Sequence, residues 1–222
     1  MKVCILLPTL NEAGSVRDMV RRVRRVSKAY DVYVVDSGST DGTGRIAAQA
    51  GAKVIYVPRG KGVAMKTAVE QLGHDALVML DSDSSYLPEE IPLFIEKLKT
   101  CEVVVGSRFK GRIEPGAMRL SNYFGNILLS HLACAIYGVP VTDLCSGFWA
   151  FRRPAIKKME ITAPHFTLEA NFYIECAKKR LVLGEVPITY SRRIGRSKLQ
   201  ISDGLLIGAY LVRTRFFSQP PV

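Results

Sequence analysis

The sequence predicts an α/β fold, a mainly parallel sheet with helices on both faces. Two observations carry that expectation. Short apolar runs alternate with segments of helical periodicity through the first hundred residues, the pattern of successive β-α units. Polar clusters at Pro8–Glu12, Asp36–Thr43 and Asp81–Ser85 each follow an apolar run, and sheets of this kind bind ligands at the carboxyl ends of their strands.

The elements follow in order. Val3–Leu7 reads as a buried strand. Val16, Met19, Val20, Val23 and Val26 then recur at helical spacing, with Arg21, Arg22, Arg24 and Arg25 on the opposite, solvent face. Val32–Val35 is a strand, Asp41–Ala50 a helix, Val54–Val57 a strand and Val63–Leu72 a helix. Ala76–Leu80 is a fourth strand, Glu89–Lys99 a helix, and Val103–Gly106 closes the series. The second half is less regular. Leu120, Tyr123, Phe124, Ile127, Leu128, Leu132 and Ile136 fall near one helical face, predicted to lie partly in the core and partly against lipid. Ser146–Phe151 is a strand, Leu168–Lys179 a helix, Leu183–Ile188 a strand, and Arg192–Lys198 a basic loop. Gly204–Phe217 is apolar on nearly all sides and carries Arg213 and Arg215, which suits a helix in a membrane interface. We therefore expect one domain over 1–202, with a donor-binding half (1–111) and an acceptor-binding half (112–202), and an appended helix over 203–222 serving the membrane interface or oligomerisation.

Composition narrows the class. The 222 residues are 48% hydrophobic and 23% charged, a globular chain with enough apolar surface for a core. Five cysteines, without CxxC spacing, argue against a disulfide framework or zinc cluster and fit a reducing compartment. The first residues form too short an apolar run for a signal peptide, and no segment reaches the roughly 18–20 apolar residues of a spanning helix. Net charge is +11, which calls for an anionic partner. The excess is uneven: residues 1–111 hold 16 basic and 13 acidic side chains (+3), residues 112–222 hold 15 and 7 (+8). Basic residues interleave with acidic motifs and no aromatic stacking platform accompanies them, so nucleic acid is not the expected partner.

The motifs carry the chemistry. Asp81-Ser82-Asp83 sets two carboxylates one residue apart past a strand end. They can converge on one divalent cation of the magnesium or manganese kind, or simply form a turn capping the next helix. Asp36–Thr43 is dense in turn residues and hydroxyls and opens a helix, a place to hold ribose or phosphate or a capped turn alone. Neither GxGxxG nor GxxxxGK[ST] occurs. In the basic loop, Gly195 permits close backbone approach, while Arg192 and Lys198 can bond phosphate oxygens.

Together, Pro8–Glu12, Asp36–Thr43 and Asp81-Ser82-Asp83 resemble the nucleotide-sugar-binding half of the inverting family 2 glycosyltransferases of GT-A fold. Gly106-Ser107-Arg108, Asp143–Phe148 and Arg192–Leu199, the last matching R-x-x-G-x-S-K, resemble the polyprenyl- or dolichyl-phosphate mannose or glucose synthases. The resemblance spans residues 3–199. It implies a nucleotide-sugar site of Pro8, Asn11, Glu12, Asp36, Ser39, Lys61, Asp81 and Ser82, completed by Arg192, Ser197 and Lys198. It implies Mg2+ or Mn2+ on Asp81 and Asp83. Where the synthases usually carry Gln or Asn, this chain has Ser84-Ser85-Tyr86, so Ser85 is the matching third ligand. Long-form synthases continue into membrane spans; this chain resembles a short form, or a catalytic portion cut before them.

The implied reaction transfers a hexose, with inversion, from a nucleotide-diphosphate sugar (GDP-mannose or UDP-glucose type) to a polyprenyl phosphate. Catalysis falls to Asp83, Asp143 and Arg119, and the acceptor phosphate to Arg112 and Arg119, with Ser121 or Asn122 assisting. A phosphate monoester has a second pKa near 6, so it is already a nucleophile and needs placement more than a base. A hydroxyl acceptor, soluble or on a protein, would need one, and Asp143 is its candidate; Glu169 reads as a helix-start charge. A non-catalytic nucleotide-sugar-binding module is the third reading. Expected partners are the donor, the lipid phosphate and a membrane surface, with a membrane-anchoring protein or second copy on the last helix. The expected location is cytoplasmic, peripheral on the membrane face.

Overall fold

The computed structural model describes residues 1–162, 167–195 and 201–217. The first half alternates as the sequence predicts: β1 (Val3–Thr9), α1 (Val16–Val26), β2 (Asp31–Asp36), α2 (Thr43–Gln49), β3 (Lys53–Tyr56), α3 (Lys61–Gln71) and β4 (Ala76–Met79). A 3-10 turn at Pro88–Glu90 leads into α4 (Ile91–Lys97). Then come β5 (Val103–Ile113), α5 (Leu120–Tyr137), β6 (Trp149–Arg152), α6 (Arg153–Lys158), α7 (Leu168–Lys178), β7 (Leu183–Tyr190) and α8 (Ile201–Phe216).

One seven-stranded sheet runs in the order β3-β2-β1-β4-β6-β5-β7. All neighbours are parallel except β6, which is antiparallel to both β4 and β5. The chain leaves β1 toward β2 and β3, then returns to add β4 on the other side of β1. Loops after β1 and β4 diverge there and leave a crevice at the carboxyl ends. The sheet is continuous through both halves, and β5 crosses the 111/112 boundary.

Strand alternation feeds two cores. Cys4 and Leu6 face one that includes Met65 of α3, Ala133 of α5, Phe172 of α7 and Ile207 and Leu211 of α8. Val3, Ile5 and Leu7 face the other, with Val16, Met19, Val20 and Val23 of α1 and Phe94 of α4. The arginines of α1 stay outside that core, and Arg22 forks onto Glu89 at 2.9 and 2.6 Å.

Three elements depart from the sequence expectation. β5 runs to Ile113, well past Gly106, because its polar second half pairs with β7 beyond an irregularity between Ser107 and Arg112. Helix α6 was not anticipated. α5 is turned: Leu120, Phe124 and Leu128 are 65–75% exposed, and its buried residues are Asn126, Ser130 and Ala133. The reason is local. The Ser130 hydroxyl donates to the Asn126 carbonyl and accepts from the backbone N–H of Leu144, so a polar helix edge satisfies the buried loop between α5 and β6. Only part of the predicted apolar stripe, Leu132 and Ile136, packs on the core.

Candidate active site

The β1 and β2 loops are stapled together. Asn11, held in the left-handed region at φ 56°, accepts from the Thr40 N–H at 2.8 Å, and its own N–H donates to Ser39 Oγ. Buried Asp36 accepts from the Ser39 N–H at 2.8 Å. The Glu12 N–H donates to Thr43 Oγ1. These bonds shape one wall of a cleft of about 1270 Å³ over the crevice.

The floor comes from the segment after β4. Asp83 is 5% exposed. Its Oδ1 accepts from the Ser85 N–H at 2.9 Å and from the Ser85 hydroxyl, and its Oδ2 lies 3.1 Å from Arg193. Burial, and then the neighbouring charge of Asp81, push the Asp83 carboxyl above its ordinary pKa. Asp81 takes the Lys61 ammonium at 2.6 Å, and the same ammonium lies 2.6 Å from Glu169. Burial opposes the charge on Lys61, but the two carboxylates outweigh it and hold its pKa above the usual lysine range. Gly147 passes so close that a methyl group there would overlap the Asp81 carboxylate. The Gly147 N–H donates to the Tyr86 hydroxyl at 2.7 Å. Ser82 reaches back to the Pro8 carbonyl.

The opposite wall is built on β5 and the segments that follow it. Arg108 is buried and bonds Asp143 through its backbone N–H, Nε and Nη2 at 2.9, 2.7 and 2.6 Å. Its guanidinium lies 5.1 Å over the Tyr190 ring. Burial opposes the Arg108 charge and Asp143 more than offsets it. Beyond Arg108 the cleft is bounded by Arg119, Ser121 and Asn122, then by Gly125 and Leu129 of α5 and Gly204 and Ile207 of α8. It therefore ends in an apolar seam between two helices.

Of the residues the sequence nominates, Pro8, Glu12, Lys61, Asp81, Asp83, Arg119 and Ser121 line the cleft together. Asn11, Asp36, Ser39 and Ser82 brace its wall. Ser85 sits behind Asp83 at 1% exposure. Asp143 is fully buried beneath Arg108, with both oxygens engaged. Arg112 is exposed on β5, and Arg192 donates to the Pro115 carbonyl; neither is among the residues that line the cleft. Arg193, one position on, takes the place beside the carboxylates. Ser197 and Lys198 lie outside the described residues. Sequence reasoning missed Arg108 and Arg193 as cleft residues and gave Glu169 only a helix-start role. The available signal for Arg193 was the opposite pointing of adjacent residues in extended chain.

The Asp81–Asp83 pair supplies hard oxygen donors from one turn, and each already answers a side-chain cation. Among the described residues no group of three or more His, Cys, Asp or Glu gathers to hold a metal. Two carboxylates completed by substrate phosphates and water is how magnesium-type ions are commonly bound, so the residues fit such an ion.

The family model for Glycosyl transferase family 2 matches residues 4–160. The chain belongs to that family. It is a glycosyltransferase, and its architecture is the GT-A fold. It is 35% identical to Glycosyltransferase AglJ of Haloferax volcanii over 98% of this chain and 73% of that protein. It is 31% identical to a dolichyl-phosphate hexose transferase of Haloferax volcanii, over 95% and 92%. It is 30% identical to an undecaprenyl-phosphate mannosyltransferase of Micrococcus luteus, over 97% and 94%. Among solved structures, glucosyl-3-phosphoglycerate synthase from Mycobacterium tuberculosis superposes with a TM-score of 0.80 at 22% identity, covering 100% of this chain and 82% of that one, a likeness of fold.

Proposed function

We propose that this glycosyltransferase moves a hexose, with inversion, from a nucleotide-diphosphate sugar to a polyprenyl phosphate at a membrane surface. The observation that carries the reading is the cleft itself. It brings together the carboxylates Asp81 and Asp83, the cations Arg108 and Arg119, and residues of the α5 and α8 seam. These three kinds of surface suit a sugar diphosphate, a phosphate and a lipid chain. The names of two relatives aligned over more than nine-tenths of both chains support the same acceptor class.

In this mechanism Pro8, Glu12 and the stapled Asn11–Asp36–Ser39 wall seat the nucleoside. Asp81 and Asp83 would hold a divalent cation of the Mg2+ or Mn2+ kind, which neutralises charge growing on the leaving diphosphate. Arg193 adds positive charge beside it. Arg119, with Ser121 and Asn122, places the acceptor phosphate for in-line attack at the sugar's anomeric carbon. The dianionic phosphate needs no base, and Asp143 is spent on Arg108. Asp143 acts through Arg108, keeping the guanidinium aimed into the cleft. The outer faces of α5 and α8, with Leu120, Phe124, Leu128, Leu205, Leu206, Phe216 and Phe217 exposed, rest on the membrane, and Arg213 and Arg215 meet anionic headgroups. Among the described residues no helix is long and apolar enough to cross a membrane.

Transfer of radiolabelled sugar into organic-extractable lipid, over a panel of GDP- and UDP-sugars with polyprenyl phosphate, tests the reading. We expect chelation or Asp83→Ala to abolish transfer, a loss of at least about a hundredfold. Arg119→Ala should raise KM for the lipid phosphate more than for the donor. Undiminished transfer after both chelation and loss of Asp83 would sink the metal role. Efficient transfer to a soluble hydroxyl without lipid phosphate would sink the acceptor.

A further inference from the structure

Four carboxylates, from Glu12, Asp81, Asp83 and Glu169, line the cleft, and one lysine joins two of them. Lys61 Nζ lies 2.6 Å from Asp81 Oδ1 and 2.6 Å from Glu169 Oε1. Its position is electrostatically unusual. Lys61 is the first residue of α3, where the helix dipole disfavours a cation, whereas Glu169 stands in the first turn of α7, where it favours an anion. A flexible ammonium held against its own helix end, on a carboxylate that would bind metal, is itself a tethered cation with two seats.

We propose that Lys61 is a positioning residue for the divalent ion: it occupies Asp81 when no ion is bound and swings wholly onto Glu169 when one arrives, so Glu169 governs metal affinity only through Lys61. The proposal rests on the reading of Asp81 and Asp83 as the cation site. The exchange is short. Glu169 already holds the ammonium from the far side, so torsions in the lysine stem release Asp81 without exposing an unpaired charge. Asp83 has its own counter-ion, Arg193, at 3.1 Å, which also lies 3.8 Å from Glu12. The consequence is a site that binds its ion weakly until the donor's phosphates add their own oxygens, coupling metal to nucleotide.

Mn2+ binding to the full chain, followed by the loss of the free-ion electron paramagnetic resonance signal without any sugar donor, tests this. Lys61→Gln should tighten Mn2+ by about tenfold, in the usual range for coupled sites. Glu169→Gln should weaken it by a similar factor, because the ammonium is left to Asp81 alone. Lys61→Arg, which keeps the tethered charge, should stay near wild type. The double variant decides between a relay and plain electrostatics. If Glu169 works through Lys61, Glu169→Gln changes nothing in the Lys61→Gln background. If its full effect persists there, or if Lys61→Gln leaves Mn2+ affinity unchanged, the exchange is wrong while the metal site stands. If wild type binds no Mn2+ with or without nucleoside diphosphate, the metal reading falls and the exchange falls with it.

Discussion

At the scale of single residues, the cleft trades stability for charge. Asp83 is buried beside Asp81, and its carboxyl is pushed above the ordinary range. The folded state therefore takes up this proton more readily than the unfolded chain. The cost is fully present above the raised folded value and is relieved as pH falls through it toward the ordinary one. Asp83→Asn mimics the protonated group, so we expect an inactive enzyme whose melting temperature at neutral pH equals or exceeds wild type; a clear loss of stability would contradict this account. Asp143 contributes through its ion pair. It and Arg108 are mutually satisfied in the interior, and Asp143→Ala strands a buried guanidinium. That should cost about 3–5 kcal/mol in urea unfolding. Asp81 and Asp83 stood out in the sequence because a D-x-D past an apolar strand can converge on a cation or form a capping turn, and the accompanying motifs favoured the first. Glu169 was not: it lies 108 positions from Lys61, and nothing local marks the pairing.

At the scale of elements, β1, β2 and β4 follow their apolar runs because they are largely buried, while the edge strand β3 is half-exposed. α5 shows where that logic fails. Its most regular apolar row, Leu120, Phe124 and Leu128, faces outward, and its polar edge is buried because Ser130 supplies a bond that the Leu144 backbone needs. A buried backbone N–H left unmet costs about 1–3 kcal/mol, which favours keeping this polar edge inside. The row then becomes available for lipid. Replacing Leu120, Phe124 and Leu128 together with serine should leave the melting temperature nearly unchanged. Co-sedimentation with anionic vesicles should fall on the order of a hundredfold or more, given about 1.5–3 kcal/mol for each large apolar side chain removed from water. Unaltered vesicle binding would move the membrane contact elsewhere.

At the scale of the whole molecule, a net charge of +11 divides as +3 and +8 between the halves. The first half carries the acidic floor of the cleft, and the second half presents Arg119, Arg213 and Arg215 near the outer helices. Binding to anionic vesicles should weaken steadily as salt rises, because such attraction is screened within about 10 Å at 0.1 M ionic strength, while binding to neutral vesicles should be nearly salt-independent. Equal salt response in both would assign the charge another task. The sequence by itself determined the α/β class, the strand-end placement of the polar motifs and the acidic pair, because these depend on periodicity and on neighbours within a few residues. Only the tertiary structure decided that Arg193 and not Arg192 meets Asp83, that Asp143 is consumed by Arg108, and that Lys61 joins Asp81 to Glu169. Those pairings form where α3, α7, β5 and the segments after β4 and β7 converge, bringing residues far apart in the chain into a space of low dielectric. There each buried charge must find a partner, and chain geometry alone selects which one it finds.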